Sequence, residues 1–123
     1  MKALTMMLGA ALAALSLNAA AHGDAKPMHG GVVQVVADVA YELVPQAQGV
    51  ALYVVDHGKP VDASRMSGKL TVLTGTQKAE APLQPAGGNK LEAANLVVGS
   101  GAKVVASLKA ADGKTASVRF SVK

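Results

Sequence analysis

The side chains best suited to chemistry in this chain are its three histidines, and two of them fall within ten residues. That stretch reads His22-Gly23-Asp24-Ala25-Lys26-Pro27-Met28-His29-Gly30-Gly31. Imidazole nitrogen suits copper, zinc and nickel, while the Met28 thioether favours Cu(I). If His22 opens the mature chain, its α-amine and imidazole close a chelate on one ion, with His29 as a third nitrogen and Met28 as a soft sulfur ligand. The amine has a reference pKa of about 7.7–8.0, so such binding releases protons and strengthens as pH rises. The bland alternative is a polar terminus whose histidines are merely soluble residues.

A second candidate position is Asp56-His57-Gly58-Lys59-Pro60, a strand end entering a turn, with Met66 in the loop that follows. His57 there is either an accessible ligand or a cap of the turn. Met66 is either a sulfur donor or a packing residue. Asp24 and Asp56 are candidates for weak oxygen ligands or outer-sphere partners. The metal candidates are thus His22, Met28, His29, His57 and Met66, with copper or zinc as the expected ion. Cysteine is absent, which removes thiolate metal sites, thiol catalysis and disulfide staples, and leaves the fold to stand on packing.

The case for His22 as a terminus lies upstream. Met1-Lys2 gives a positive start, residues 3–17 are an uncharged apolar run, and Asn18-Ala19-Ala20-Ala21 offers the small-x-small pattern of a signal peptidase site. The run is too short and alanine-rich for a membrane span, which needs about 20 apolar residues. Residues 1–21 are therefore expected to be a cleaved export signal, residues 22–31 a flexible arm, and residues 32–123 a single domain in the periplasm. Stable membrane insertion is not expected after signal removal. Losing Lys2 leaves eleven basic residues against eight acidic ones, a mild net charge of +3. The only aromatics, Tyr41, Tyr53 and Phe120, sit inside apolar runs, so no stacking platform for nucleic acid is visible. Catalytic templates are also missing: there is no Gly-x-Ser-x-Gly elbow, no phosphate-cradling loop and no His-Glu-x-x-His helix. A non-enzymatic protein is expected.

The elements that must carry these residues follow a period of two from Gly31 onward, broken by turn residues about every ten positions. The spacing predicts about eight short strands: 32–36, 39–44, 50–57, 69–74, 77–84, 90–95, and a terminal pair flanking Asp112-Gly113. An Asp-Gly step between alternating runs favours a tight hairpin. Residues 50–55 are apolar on both parities and are expected to be central, while Lys78-Ala79-Glu80-Ala81 is expected near an edge. The fold class is all-β, an antiparallel two-sheet sandwich of immunoglobulin-like type; periodicity leaves strand order open, with a small barrel as the alternative. In an up-and-down succession the start of the first strand and the end of the third lie at opposite ends, which makes His29 and His57 poor partners. The seven steps from His29 back to His22 reach at most about 23–25 Å, enough to bring His22 towards His57 and Met66 along an edge. Two weak sites and one site closed by the arm are both open.

His29-Gly30-Gly31-Val32-Val33, Tyr41-Glu42-Leu43-Val44, the run from Ala51 through Asp56-His57-Gly58-Lys59-Pro60-Val61, and Gly68-Lys69-Leu70 together resemble a known family. It is the small periplasmic metal-associated domain found in adaptor subunits of heavy-metal efflux pumps and in related stand-alone periplasmic proteins. The resemblance covers almost the whole mature chain and rests on the order and spacing of short motifs. It implies a periplasmic β-domain that handles or senses exported copper, zinc, cobalt or nickel, with His29 as the firmest matching position, His57 less so, and a heavy-metal efflux complex as partner. The chain lacks the long helical hairpin, lipoyl-like domain and additional barrel of full adaptors. The rival expectation is a metal-free structural or interaction β-sandwich of the cell envelope.

Overall fold

The computed structural model describes residues 25–123; the expected signal segment, His22 and Asp24 lie outside the described residues. Alternation of β-branched and polar residues produces an all-β, antiparallel architecture with nine strands among the described residues. These are β1 (Val32–Val36), β2 (Val39–Gln46), β3 (Gly49–Asp56), β4 (Lys59–Pro60), β5 (Ser67–Thr74), β6 (Gln77–Pro85), β7 (Lys90–Ala94), β8 (Lys103–Lys109) and β9 (Thr115–Ser121). The only helical element among the described residues is a single 3-10 turn at Ala63–Arg65, and no helix there is long and apolar enough to cross a membrane.

The strands pair in the order β1-β2-β3-β7-β6-β5-β8-β9, with β4 added to the end of β3. This order differs from the expected immunoglobulin-like one, in which the third strand leaves the first sheet. Here β1, β2 and β3 form a continuous meander. The two halves are joined through β6, which pairs with β5 along Gly68↔Leu83 to Thr74↔Gln77 and then with β7 at Gln84↔Glu92 and Pro85↔Leu91. The outer strands β1 and β9 approach each other, so the sheet is nearly closed and barrel-like. As expected, β3 is central, between β2 and β7, and Lys78 to Ala81 have β5 on one side only.

Inward residues of alternate parity build one core: Tyr41 and Leu43 from β2, Val50, Leu52 and Val54 from β3, Leu91 from β7, and Val104, Val118 and Phe120 from the terminal pair. That hairpin is present, but its connection is longer than a two-residue turn. Ala110 donates to the Lys114 carbonyl at 2.8 Å, Asp112 accepts from the Lys114 amide at 2.9 Å, and Gly113 takes the left-handed φ of 88°. The opposite parity of β2 and β3 faces outward as Ala40, Glu42, Tyr53 and Val55, and this outer face carries the candidate site.

Candidate metal centre

Antiparallel pairing sets Glu42 directly opposite Tyr53 on the outer face. Glu42 is nevertheless only 6% exposed, because the N-terminal arm lies across it. Its carboxylate accepts from the amides of Met28 at 3.0 Å, His29 at 2.8 Å and Gly31 at 2.8 Å, and from the His29 ring Nδ1 at 3.0 Å. The His29 ring stacks on Tyr53, with centroids 3.6 Å apart and planes 5° from parallel. Gly31 is required where the arm turns into β1, since a Cβ there would stand 2.2 Å from the Leu43 carbonyl oxygen. Burial pushes the Glu42 carboxyl up, but the His29 ring and the amides of Gly31, His29 and Met28 outweigh it and hold the group below its ordinary 4.5.

The second histidine is placed by two turns that meet. His57 and Gly58 connect β3 to β4 with φ of 51° and 82°, the pair of positive values that a type I′ hairpin demands. Ala37 and Asp38 connect β1 to β2 with φ of 52° and 67°. The His57 amide donates to the Asp38 carbonyl at 3.2 Å, which ties the turns together. The His57 ring Nδ1 is hydrogen-bonded to Asp56, and its Nε2 lies 3.7 Å from Asp38 Oδ2. The ring is 69% exposed, so these contacts orient it without holding it firmly.

Both histidines line one cavity of about 750 Å³. It is lined by the apolar Val35, Ala40, Val55 and Pro60 together with Ala25, Lys26, Met28, His29, Asp38, His57, Gly58 and Asn89. Asn89 is fixed by bonds to the main chain of Val54, donating from Nδ2 at 3.1 Å and accepting at its own carbonyl at 3.0 Å. His29 and His57, expected at opposite ends of the strands, thus line the same cavity. The first strand does begin at the far end from His57, but the arm doubles back over the β2–β3 face and carries His29 to the same depression. Residues 28–31 of the expected flexible arm are correspondingly anchored on the sheet.

The other candidates divide. Met28 sits at the cavity with its side chain 79% exposed. Met66 is 8% exposed, packs in the hydrophobic core and does not line the cavity that holds the two histidines. His22 and Asp24 lie outside the described residues. Glu42, Tyr53 and Asp38 were not singled out from the sequence. A lone acid inside the apolar run Tyr41-Glu42-Leu43 was the available signal for the first. Among the described residues, no three histidine or carboxylate side chains lie close enough together to hold an ion by themselves.

Each imidazole has a carboxylate at Nδ1. A carboxylate accepts and does not donate at neutral pH, so a neutral His29 ring carries its proton on Nδ1 and presents the Nε2 lone pair, whereas His57 has Asp56 at Nδ1 and the more distant Asp38 beside Nε2. This is the carboxylate–histidine arrangement that orients metal-binding imidazoles.

No protein-family model matches the chain. No curated protein matches it either. Among solved structures, the chain is similar to that of the Br derivative of BhCBM56, at 14% identity and a TM-score of 0.45 over 74% of this chain and 99% of that one. A likeness this distant carries no information about function.

Proposed function

We propose that the chain is an exported, non-enzymatic protein that binds a transition metal, copper or zinc, in the cleft beneath its N-terminal arm, and that it handles this metal in the periplasm beside a heavy-metal efflux complex. The observation that carries the reading is the pair of imidazoles, His29 and His57, each with a carboxylate at Nδ1, lining one cavity. His29 and His57 supply Nε2 donors, and Asp38 stands beside the second. The described residues do not complete a coordination shell. His22 precedes Ala25, which lines the cavity, by three residues, so a terminus processed there would add an imidazole and an α-amine within a reach of about 10–11 Å. Met28 adds a thioether at the entrance, which biases the site towards Cu(I) under reducing conditions. A centre assembled from an arm and two turns is expected to bind with low to moderate affinity, as suits a carrier that must release its ion.

The test is a competition titration of zinc and copper into the processed chain and into His29→Ala, His57→Ala and the double variant. One stoichiometric equivalent with non-additive losses in the double-mutant cycle supports a shared centre. A chain carrying one extra residue before His22 is expected to bind more weakly, because the amine no longer chelates with the His22 ring. No stoichiometric binding by the unmodified processed chain overturns the reading in favour of a metal-free interaction domain.

A further inference from the structure

We infer that Glu42 is the positioning residue of this centre: it latches the arm onto the sheet and locks His29 in the Nδ1–H form, so that metal enters only through Nε2. The inference rests on the metal-binding reading for its consequence, but its geometry stands apart from it. A carboxylate 6% exposed on the outward parity of a strand loses most of its hydration, a loss tolerated only where donors replace the water. All four donors come from residues 28–31, and no lysine or arginine among the described residues pairs with Glu42. The group is therefore dedicated to the arm. Lifting the arm would exchange these four hydrogen bonds for water.

Two further features make the latch directional. Tyr53 holds the plane of the His29 ring by stacking, and Glu42 fixes the rotation of the ring within that plane through Nδ1. Plane and rotation together determine where Nε2 lies. Gly31 makes the third amide available, because any larger residue would collide with the Leu43 carbonyl and lift the turn away from the carboxylate. The arm is thereby preorganised as a ligand arm, and part of the ordering cost of binding is met by the fold itself.

The test uses long-range nitrogen–proton NMR of the histidine rings in the metal-free processed chain, followed by zinc titration. His29 is expected as the Nδ1–H tautomer in the unmodified chain. In Glu42→Gln, whose amide can donate as well as accept, the ring is expected to shift towards the Nε2–H form, and zinc is expected to bind about 10–100-fold more weakly. Gly31→Ala is expected to weaken zinc binding while leaving the carboxylate in place, and Glu80→Gln, on a distant strand, is expected to change neither readout. An Nε2–H tautomer in the unmodified chain, or zinc affinity unchanged in Glu42→Gln, would overturn the inference. Should Glu42→Gln fail to fold, the tautomer of the unmodified chain still decides. If that chain binds no zinc, the metal reading falls while the tautomer measurement continues to judge the latch.

Discussion

The carboxylate of Glu42 shows how one side chain converts a terminal segment into part of a folded site. Its hydrogen bonds to Met28, His29 and Gly31 form only while it is ionised. Its folded pKa lies below the unfolded value, so it contributes stability that is fully present above about 4.5 and is lost as pH falls through the lowered folded value. Denaturant titrations of the metal-free chain are therefore expected to show unfolding free energy declining below that pH, with the decline smaller in Glu42→Gln. At neutral pH the same variant is expected to cost about 1–3 kcal/mol, since charged hydrogen bonds are exchanged for weaker ones. Met66 gives the opposite case. A thioether in a loop reads from sequence as either ligand or filler, and only its burial decides. Met66→Leu conserves volume, so we expect a cost of less than about 1.5 kcal/mol in chemical denaturation and no change in metal affinity. Glu42 itself was hidden in the sequence for a physical reason: an acid in the middle of an alternating strand ordinarily marks a solvated face, and the covering arm comes from eleven or more residues away.

At the scale of elements, strand positions were legible because one face of each is buried, which forces a period of two that survives in the sequence. The boundaries of β1 agree residue for residue, and those of the longer strands to within one or two positions. The two-residue β4 was not legible, since Lys59-Pro60 is too short to carry any period. Nor was the strand order, because the pairing of β3 with β7, and of β6 with both β5 and β7, depends on how core side chains fit and not on local pattern. The turn between β1 and β2 also escaped notice, as it achieves two positive φ values without glycine. Ala37 at φ 52° occupies a left-handed conformation that disfavours a Cβ. Ala37→Gly is accordingly expected to stabilise the metal-free domain by about 1 kcal/mol, read as a rise in the midpoint of denaturant unfolding. Because Asp38 follows directly and bonds through its carbonyl to His57, the same change should leave the position of His57 intact.

For the whole molecule, the arrangement separates the stabilising core from the proposed metal site. The core draws on β2, β3, β5, β6, β7, β8 and β9, while the proposed ligands lie on the arm and in two turns, beside the outer face of β2 and β3. A domain held together in this way does not need a metal staple, in contrast to small zinc-folded modules. Chelator treatment is expected to leave the far-ultraviolet circular dichroism spectrum purely β in character and the unfolding midpoint nearly unchanged. Loss of the fold on chelation would contradict a peripheral site.

The central claim is that His29 and His57 share one ion beneath the arm. X-ray absorption of the processed chain loaded with one equivalent of zinc tests it most directly. The account predicts at least three nitrogen ligands near about 2.0–2.1 Å, with the imidazole scattering reduced by one ring in either His29→Ala or His57→Ala. An oxygen-dominated shell, or a spectrum indifferent to the loss of either histidine, would contradict it.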